Sequence, residues 1–189
     1  EFYRANRPLV RLEAVPPDLV NAFLAVEDRR FWEHWGVNLP SVFRSSIRNL
    51  FSMRVREGGS TITQQLARNL FLTHERTFSR KIKEAVLAVR IEQNYSKHEI
   101  LEMYLNQIYF GDGAYGVQAA ARRTFGKDVR DLTLAESALL AGVVRNPLAY
   151  SPRRHPETAQ RRRAIVLRSM EDCGFISDET MQSAMEDSV

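Results

Sequence analysis

The sequence predicts a mainly α-helical protein, and three observations carry that reading. Helix-start signals recur: Ser96-Lys97-His98-Glu99 and Thr133-Leu134-Ala135-Glu136 both have the capping-box pattern, and Thr61-Ile62-Thr63-Gln64 is a third candidate. Apolar residues return at helical spacing, as in Ile82, Val86 and Val89. Strand signals are weak, and only Leu9-Val10-Arg11-Leu12 reads as a short edge strand.

The elements follow in order. Pro16-Pro17-Asp18 starts a helix that reaches Glu27, because proline suits a first turn whose amide has no partner. From Gly36 to Gly59, apolar Val42, Phe43, Ile47, Leu50, Phe51 and Met53 alternate with Arg44, Arg48, Arg54 and Arg56. Such a basic amphipathic stretch suits a membrane surface or a helix packed on the core, and periodicity alone favours the core. Thr61 caps the next helix. Ser79 is expected to cap another, with its apolar stripe at Ile82, Val86 and Val89 and its end near Tyr95. Helices are then expected over 100–110, over 114–125 with Gly126 as the stop, and over 134–143. Pro156 opens a helix to about Asp172 that stops at Gly174, and Ser177 begins a short last one.

Composition bounds the function. The chain has 189 residues, 44% hydrophobic and 26% charged, which describes an ordinary globular protein with one good core and room for a small second lobe. No apolar run approaches the ~20 residues that cross a bilayer, and no signal-peptide pattern opens the chain. The abrupt start Glu1-Phe2-Tyr3-Arg4 reads as that of an excised fragment without its targeting segment. Cys173 is the only cysteine, so an intramolecular disulfide is excluded. The net charge of +4, with Arg far outnumbering Lys, points to phosphate, nucleic acid or an anionic membrane as partner, or to no more than a solvated surface.

Three clusters carry chemistry. Glu27-Asp28-Arg29-Arg30-Phe31-Trp32-Glu33-His34-Trp35-Gly36 gathers carboxylates, cations, a histidine and large aromatics in one short run. Apolar walls raise a carboxylate's proton affinity and nearby cations lower it, so this mixture suits an active-site cleft. A helix terminus with solvated charges is the plainer alternative. Gly58-Gly59-Ser60-Thr61-Ile62-Thr63-Gln64-Gln65 lets backbone approach a ligand and offers hydroxyls and amides at a helix start. Read alone, it is a turn and an N-cap. Arg80-Lys81-Ile82-Lys83-Glu84 places Arg80 and Lys81 four and three residues before Glu84, on one helix face. With Arg68, that group suits a diphosphate, whereas a surface ladder of ion pairs is the structural alternative. His34, His74, His98 and His155 are scattered without metal-site spacing, and His34 reads best as a hydrogen-bonded structural residue. Arg161-Arg162-Arg163 reads as a solvated helix face.

Together these clusters resemble the peptidoglycan glycosyltransferase family, glycosyltransferase family 51, the polymerase module of class A penicillin-binding proteins and monofunctional transglycosylases. The resemblance rests on blocks in family order: Glu27 to Phe31 with His34 and Gly36; Gly58 to Gln65; Arg80 to Ala85; Ile100 to Asn106 with Gly111 and Gly116; and Leu134-Ala135-Glu136 to Gly142. It implies one domain over 1–189, with a lysozyme-like helical large lobe and a smaller membrane-dipping lobe over about 36–59. That implication reverses the preference for a core-packed helix there. It also implies a bacterial enzyme on the outer face of the cytoplasmic membrane, held by an N-terminal transmembrane anchor and linked to a transpeptidase domain. No Ser-x-x-Lys followed by Lys-Thr-Gly occurs, so β-lactam binding is not expected of this chain.

The family activity implied is inverting polymerisation of lipid II into β-1,4-linked glycan, with release of undecaprenyl diphosphate and inhibition by moenomycin. Glu27 matches the catalytic glutamate and Glu84 the second one, whose role is open between orienting Lys81 and serving a metal-diphosphate. Arg68, Arg80 and Lys81 match positions that neutralise the leaving group. Asp28, His34, Ser60, Thr61, Gln64 and Gln65 are expected at the substrate, while Tyr104 and Asn106 buttress the cleft. No cofactor is required by the sequence, although a divalent cation, Mg²⁺ or Mn²⁺, is expected to suit a diphosphate. Two positions depart from the family pattern: Arg68 stands where Lys is frequent, and Val144-Arg145-Asn146-Pro147-Leu148 differs from the usual run. Two other readings stay open: a lysozyme-like muramidase or lytic transglycosylase, and a helical nucleic-acid-binding module. The resemblance implies no nucleic acid.

Overall fold

The computed structural model describes residues 9–38, 59–72 and 77–187. The expected membrane-dipping lobe, 36–59, lies almost wholly outside the described residues. The elements are a 3-10 turn at Leu12–Ala14, α1 Pro17–Glu27, α2 Ile62–Phe71, α3 Phe78–Asn94, α4 Lys97–Gln107, α5 Val117–Phe125, a 3-10 turn at Val129–Asp131, α6 Leu134–Val143, α7 Pro156–Asp172 and α8 Asp178–Glu186.

The chain forms two compact units, one of residues 1–29 and 105–189, the other of residues 30–104. In the first, α6 is the central helix. Every residue from Ala135 to Val143 is buried, which is what a helix apolar all round requires. Its capping box closes as predicted: Thr133 Oγ1 accepts from the Glu136 amide, and Glu136 Oε2 accepts from the Thr133 amide at 2.9 Å. Helices α1 and α7 pack on α6 and on each other, and α8 packs on α7. The core holds Leu19, Phe23, Leu140, Leu167 and Met170, with Phe23 meeting Phe110 edge-on at 6.2 Å. Gly126 ends α5 in the left-handed conformation, as its position predicts.

The expected edge strand at 9–12 does not form. The Asn106 carboxamide instead accepts from the Val10 amide at 2.9 Å and donates to the Val10 carbonyl at 2.8 Å. One side chain thus satisfies both backbone groups that a neighbouring strand would have paired.

In the second unit, α2 packs on α3 around Phe31, Ile62, Leu66, Ala88, Ile91, Ile100, Leu101 and Tyr104. Two expectations for α3 change. Thr77, not Ser79, is its cap, accepting from the Arg80 amide at 3.2 Å. Its buried face is Glu84, Ala88 and Ile91, whereas Phe78, Ile82, Val86 and Val89 form an exposed apolar stripe. Periodicity found the helix, but packing against α2 chose the other face.

Candidate active site

The second unit builds its polar cluster around one buried carboxylate. Glu84 is 1% exposed and sits on the inner face of α3. The helical spacing that put Arg80 and Lys81 beside it in the sequence is realised: Arg80 Nη1 pairs with Oε1, and Lys81 Nζ donates to Oε2 at 2.8 Å. Lys81 also donates to Ser60 Oγ at 2.6 Å, which ties α3 to the segment just before α2. Burial, reinforced by repulsion from Arg68 and then Arg80, holds the Lys81 ammonium below the usual lysine range. Among the described residues, Arg68 and Arg80 thus lie within electrostatic reach of Lys81 beside the buried Glu84 carboxylate, and a polyanion would ease the repulsion among these cations.

This geometry bears on the two alternatives left open for Glu84. It spends one oxygen on each of two cations, so its surroundings repel a metal ion rather than ligate one. Among the described residues no group of three or more His, Cys, Asp or Glu gathers as a metal site. The described residues of this cluster present no set of ligands for a divalent ion.

Thr61 and Gln64 are bound into the start of α2. Both are 2% exposed. Thr61 Oγ1 accepts from the Gln64 amide and donates to the Gly36 carbonyl at 2.6 Å, while Gln64 Oε1 accepts from the Thr61 amide at 3.0 Å. Such closed, buried bonding makes them supports of the α2 start. Gln65 receives the Tyr104 hydroxyl at 3.4 Å, and Tyr104 is fully buried, which fits its expected buttressing part.

The run after α1 folds onto α3 through a second network. Gly36 adopts φ +84°, and a Cβ there would stand 2.8 Å from the backbone carbonyl of Ala88. His34 Nδ1 accepts from the Gly36 amide at 3.1 Å, so the ring braces the turn. Lys97 Nζ donates to the His34 carbonyl at 2.6 Å and to Glu92 Oε1 at 2.7 Å, and lies 4.5 Å from the Phe31 ring centre. Thr63 Oγ1 donates to the same Glu92 oxygen. No local spacing hints at this Lys97–Glu92–Thr63 brace, because its members come from separate segments with ordinary surface residue types. Of the three large aromatics in the run, only Phe31 is buried; Trp32 and Trp35 are exposed.

In the first unit, Glu27 is the last residue of α1 and is partly exposed, and Asp28 is the buried C-cap, donating its amide to the Leu24 carbonyl at 3.1 Å. Arg29 turns to Ser169 and Asp172 on α7. Arg162 and Arg163 overturn the reading of a solvated Arg face. They are 9% and 5% exposed, respectively, and Arg163 donates to the carbonyls of Asp187 and Met185 at the end of α8. The Arg-rich face that motivated a nucleic-acid-binding reading is therefore largely interior.

These features define a class: a helical protein in which two cations share one buried carboxylate, with a second carboxylate at a helix end. The chain belongs to the transglycosylase family, whose pattern it matches over residues 1–171. It is 51% identical over 180 residues to penicillin-binding protein 1A of Aquifex aeolicus, covering 95% of this chain and 25% of that protein. It is 49% identical to penicillin-binding protein 1A of Escherichia coli, covering 100% of this chain and 22% of that protein. A crystal structure of penicillin-binding protein 1A from Haemophilus influenzae matches 97% of this chain and 18% of its own, with a TM-score of 0.57 at 26% identity. The chain thus spans about a quarter of the length of these curated relatives.

Proposed function

We propose that this chain is the glycan-polymerising module of a class A penicillin-binding protein, joining lipid II units into β-1,4-linked peptidoglycan strands. The observation that carries the reading is the Lys81 ammonium, held between Ser60 and Glu84 with Arg80 on the same carboxylate and Arg68 within electrostatic reach. A site that crowds cations against their mutual repulsion is suited to a leaving group of high negative charge, which a diphosphate is.

The two chemical tasks fall to two groups of residues. Glu27 accepts the proton from the 4-hydroxyl of lipid II as that oxygen forms its bond to the anomeric carbon of the growing strand. The bond from the anomeric carbon to the diphosphate oxygen breaks, and its electron pair leaves on the diphosphate. Attack on the face opposite the leaving group turns an α-linked diphosphate into a β-glycoside. Lys81, Arg80 and Arg68 stabilise the charge developing on the departing oxygens, the term on which such catalysis depends most. Glu84 keeps Lys81 and Arg80 aimed, and Ser60 fixes the ammonium. Asp28 and Gln65 complete the substrate surroundings, while Thr61, Gln64 and His34 hold the frame.

A lytic or hydrolytic enzyme acting on lipid-free glycan has no diphosphate to neutralise, so the cation cluster favours synthesis over cleavage. Any divalent ion would arrive with the diphosphate. Work at the outer face of the bacterial cytoplasmic membrane is part of the same proposal. The exposed stripe Phe78, Ile82, Val86 and Val89, flanked by exposed Lys83 and Arg90, supports contact of α3 with an anionic bilayer. No helix among the described residues is long and apolar enough to cross a membrane.

The test is to incubate the purified chain with labelled lipid II in detergent. Polymer and free undecaprenyl diphosphate are expected, both blocked by moenomycin. Absence of polymer, together with release of muropeptides from lipid-free cell wall, would replace this reading with a muramidase.

A further inference from the structure

Glu84, Ala88 and Glu92 follow one another at four-residue steps along α3, so they form one ridge of the helix. Each step receives a different part of the chain around the start of α2. At Glu84 the Lys81 ammonium is held, and it reaches Ser60 Oγ at 2.6 Å. At Ala88 sits Gly36, whose carbonyl accepts from Thr61 Oγ1 at 2.6 Å. At Glu92, Oε1 accepts directly from Thr63 Oγ1 at 2.6 Å. Ser60, Thr61 and Thr63 thus pin the start of α2 to three successive levels of α3, the outer two about 12 Å apart along the helix axis.

The Glu92 level is built from buried polar groups. The Glu92 side chain is 5% exposed, and Thr63 is fully buried. Lys97 compensates the carboxylate at 2.7 Å and is itself anchored to the His34 carbonyl and the Phe31 ring. A buried ion pair contributes little net stability compared with apolar packing, and its best-attested use is to fix register. Apolar contact would let α2 slide along α3, whereas a short hydrogen bond aimed at one oxygen does not.

Register matters at Ser60. Glu84 stands on the same helix as Lys81 and moves with it. Ser60 is the hydrogen-bond partner that reaches the ammonium from outside α3. Thr63 follows Ser60 by three residues, and the Thr61–Gln64 capping box stiffens the stretch between them. We propose that Glu92 is a positioning residue for Lys81: by holding Thr63 it sets the register of α2 on α3 and so keeps Ser60 on the ammonium. This rests on the reading of Lys81 as a cation that meets the leaving group.

A double-mutant cycle in lipid II polymerisation tests the proposal. Ser60→Ala and Thr63→Val should each lower kcat about tenfold with KM within about twofold of wild type, and Thr63→Ser, which keeps the hydroxyl, should restore kcat. In the Ser60→Ala background, Thr63→Val should lower kcat by less than about twofold more, because both changes break the same support. The Lys81 ammonium resonance, assigned by its loss in Lys81→Met, should shift alike in Ser60→Ala and Thr63→Val. Losses that multiply in the double variant overturn the proposal, as does a Lys81 resonance unmoved by Thr63→Val. Should Thr63→Val not fold, Glu92→Asp, which keeps a charge for Lys97 but draws the carboxylate back from Thr63, runs the same cycle. Polymerisation by Lys81→Ala at the wild-type rate sinks the reading of the cation cluster, and this inference with it. An inactive Lys81→Ala alongside a multiplicative cycle sinks this inference alone.

Discussion

Glu84 accepts the Lys81 ammonium at 2.8 Å from beneath: the carboxylate side chain is 1% exposed and the lysine side chain 42% exposed. The anion is the foundation and the cation faces outward. A surface ladder of ion pairs, the plainer sequence reading, would expose both partners and contribute little. Here the buried partner fixes two cations at once.

Glu84→Gln should therefore cost both fold and function. Two cations lose their shared counter-charge in a largely buried setting, so unfolding free energy in urea should fall by about 3 kcal/mol. Polymerisation should fall roughly 100-fold in the fraction that stays folded. A variant with wild-type stability would show that the pair is not a structural foundation.

Diphosphate binding should depend on pH through Lys81. Burial and two arginines hold its folded-state pKa below the ordinary 10.5. An arriving anion favours the charged form and raises that pKa again. Binding therefore takes up protons in the interval between the free and bound values, and affinity falls as pH rises through that interval. Calorimetry of inorganic diphosphate in buffers of different ionisation enthalpy measures the uptake, and Lys81→Met should abolish it. For the unliganded fold the sign follows from the same shift. Between the depressed folded pKa and 10.5 the unfolded chain binds more protons, so this residue's contribution to stability rises with pH there.

Gly36→Ala should damage the fold far more than Gly113→Ala. Both glycines have positive φ, but a Cβ at 36 would collide with the Ala88 backbone, while at 113 nothing lies within 4 Å. The expected losses are about 3 kcal/mol or more for Gly36→Ala and about 1 kcal/mol for Gly113→Ala. Thermal unfolding of the two variants side by side makes the comparison. Equal losses would mean that the Gly36–α3 contact is not tight.

Replacing Phe78 or Ile82 by Asp should weaken partition of the chain onto vesicles containing anionic lipid by about tenfold each, since both side chains are exposed and apolar. Circular dichroism should be unchanged. Undiminished vesicle binding would remove α3 from the membrane-contact proposal.

The helices were legible because their start signals are local. The capping boxes at Thr61 and Thr133 form as read, and Ser96 and Glu99 exchange backbone bonds at 2.8 and 3.3 Å. Pro17 and Pro156 open helices because a first-turn proline sacrifices no bond. What stayed hidden was which face each helix buries. The stripe Ile82, Val86 and Val89 looks like a core face, yet α2 covers the side bearing Glu84. Buried Arg162 looks the same in sequence as exposed Arg161. The Val10 segment has strand-like composition, but its hydrogen-bonding partner is one side chain 96 residues away. Among candidate site residues, the triad Arg80, Lys81 and Glu84 was readable because helical spacing alone brings it together. The link from Lys81 to Ser60, 21 residues earlier, needed the tertiary fold.

The division of labour between a base and a separate cation cluster is tested most directly by measuring undecaprenyl diphosphate released from labelled lipid II by the wild-type chain, Glu27→Gln and Lys81→Ala under identical conditions. Both variants should remain folded and release at least roughly 100-fold less product. Release by Glu27→Gln at the wild-type rate would contradict the assignment of the base, and unchanged release by Lys81→Ala would contradict the role of the cluster.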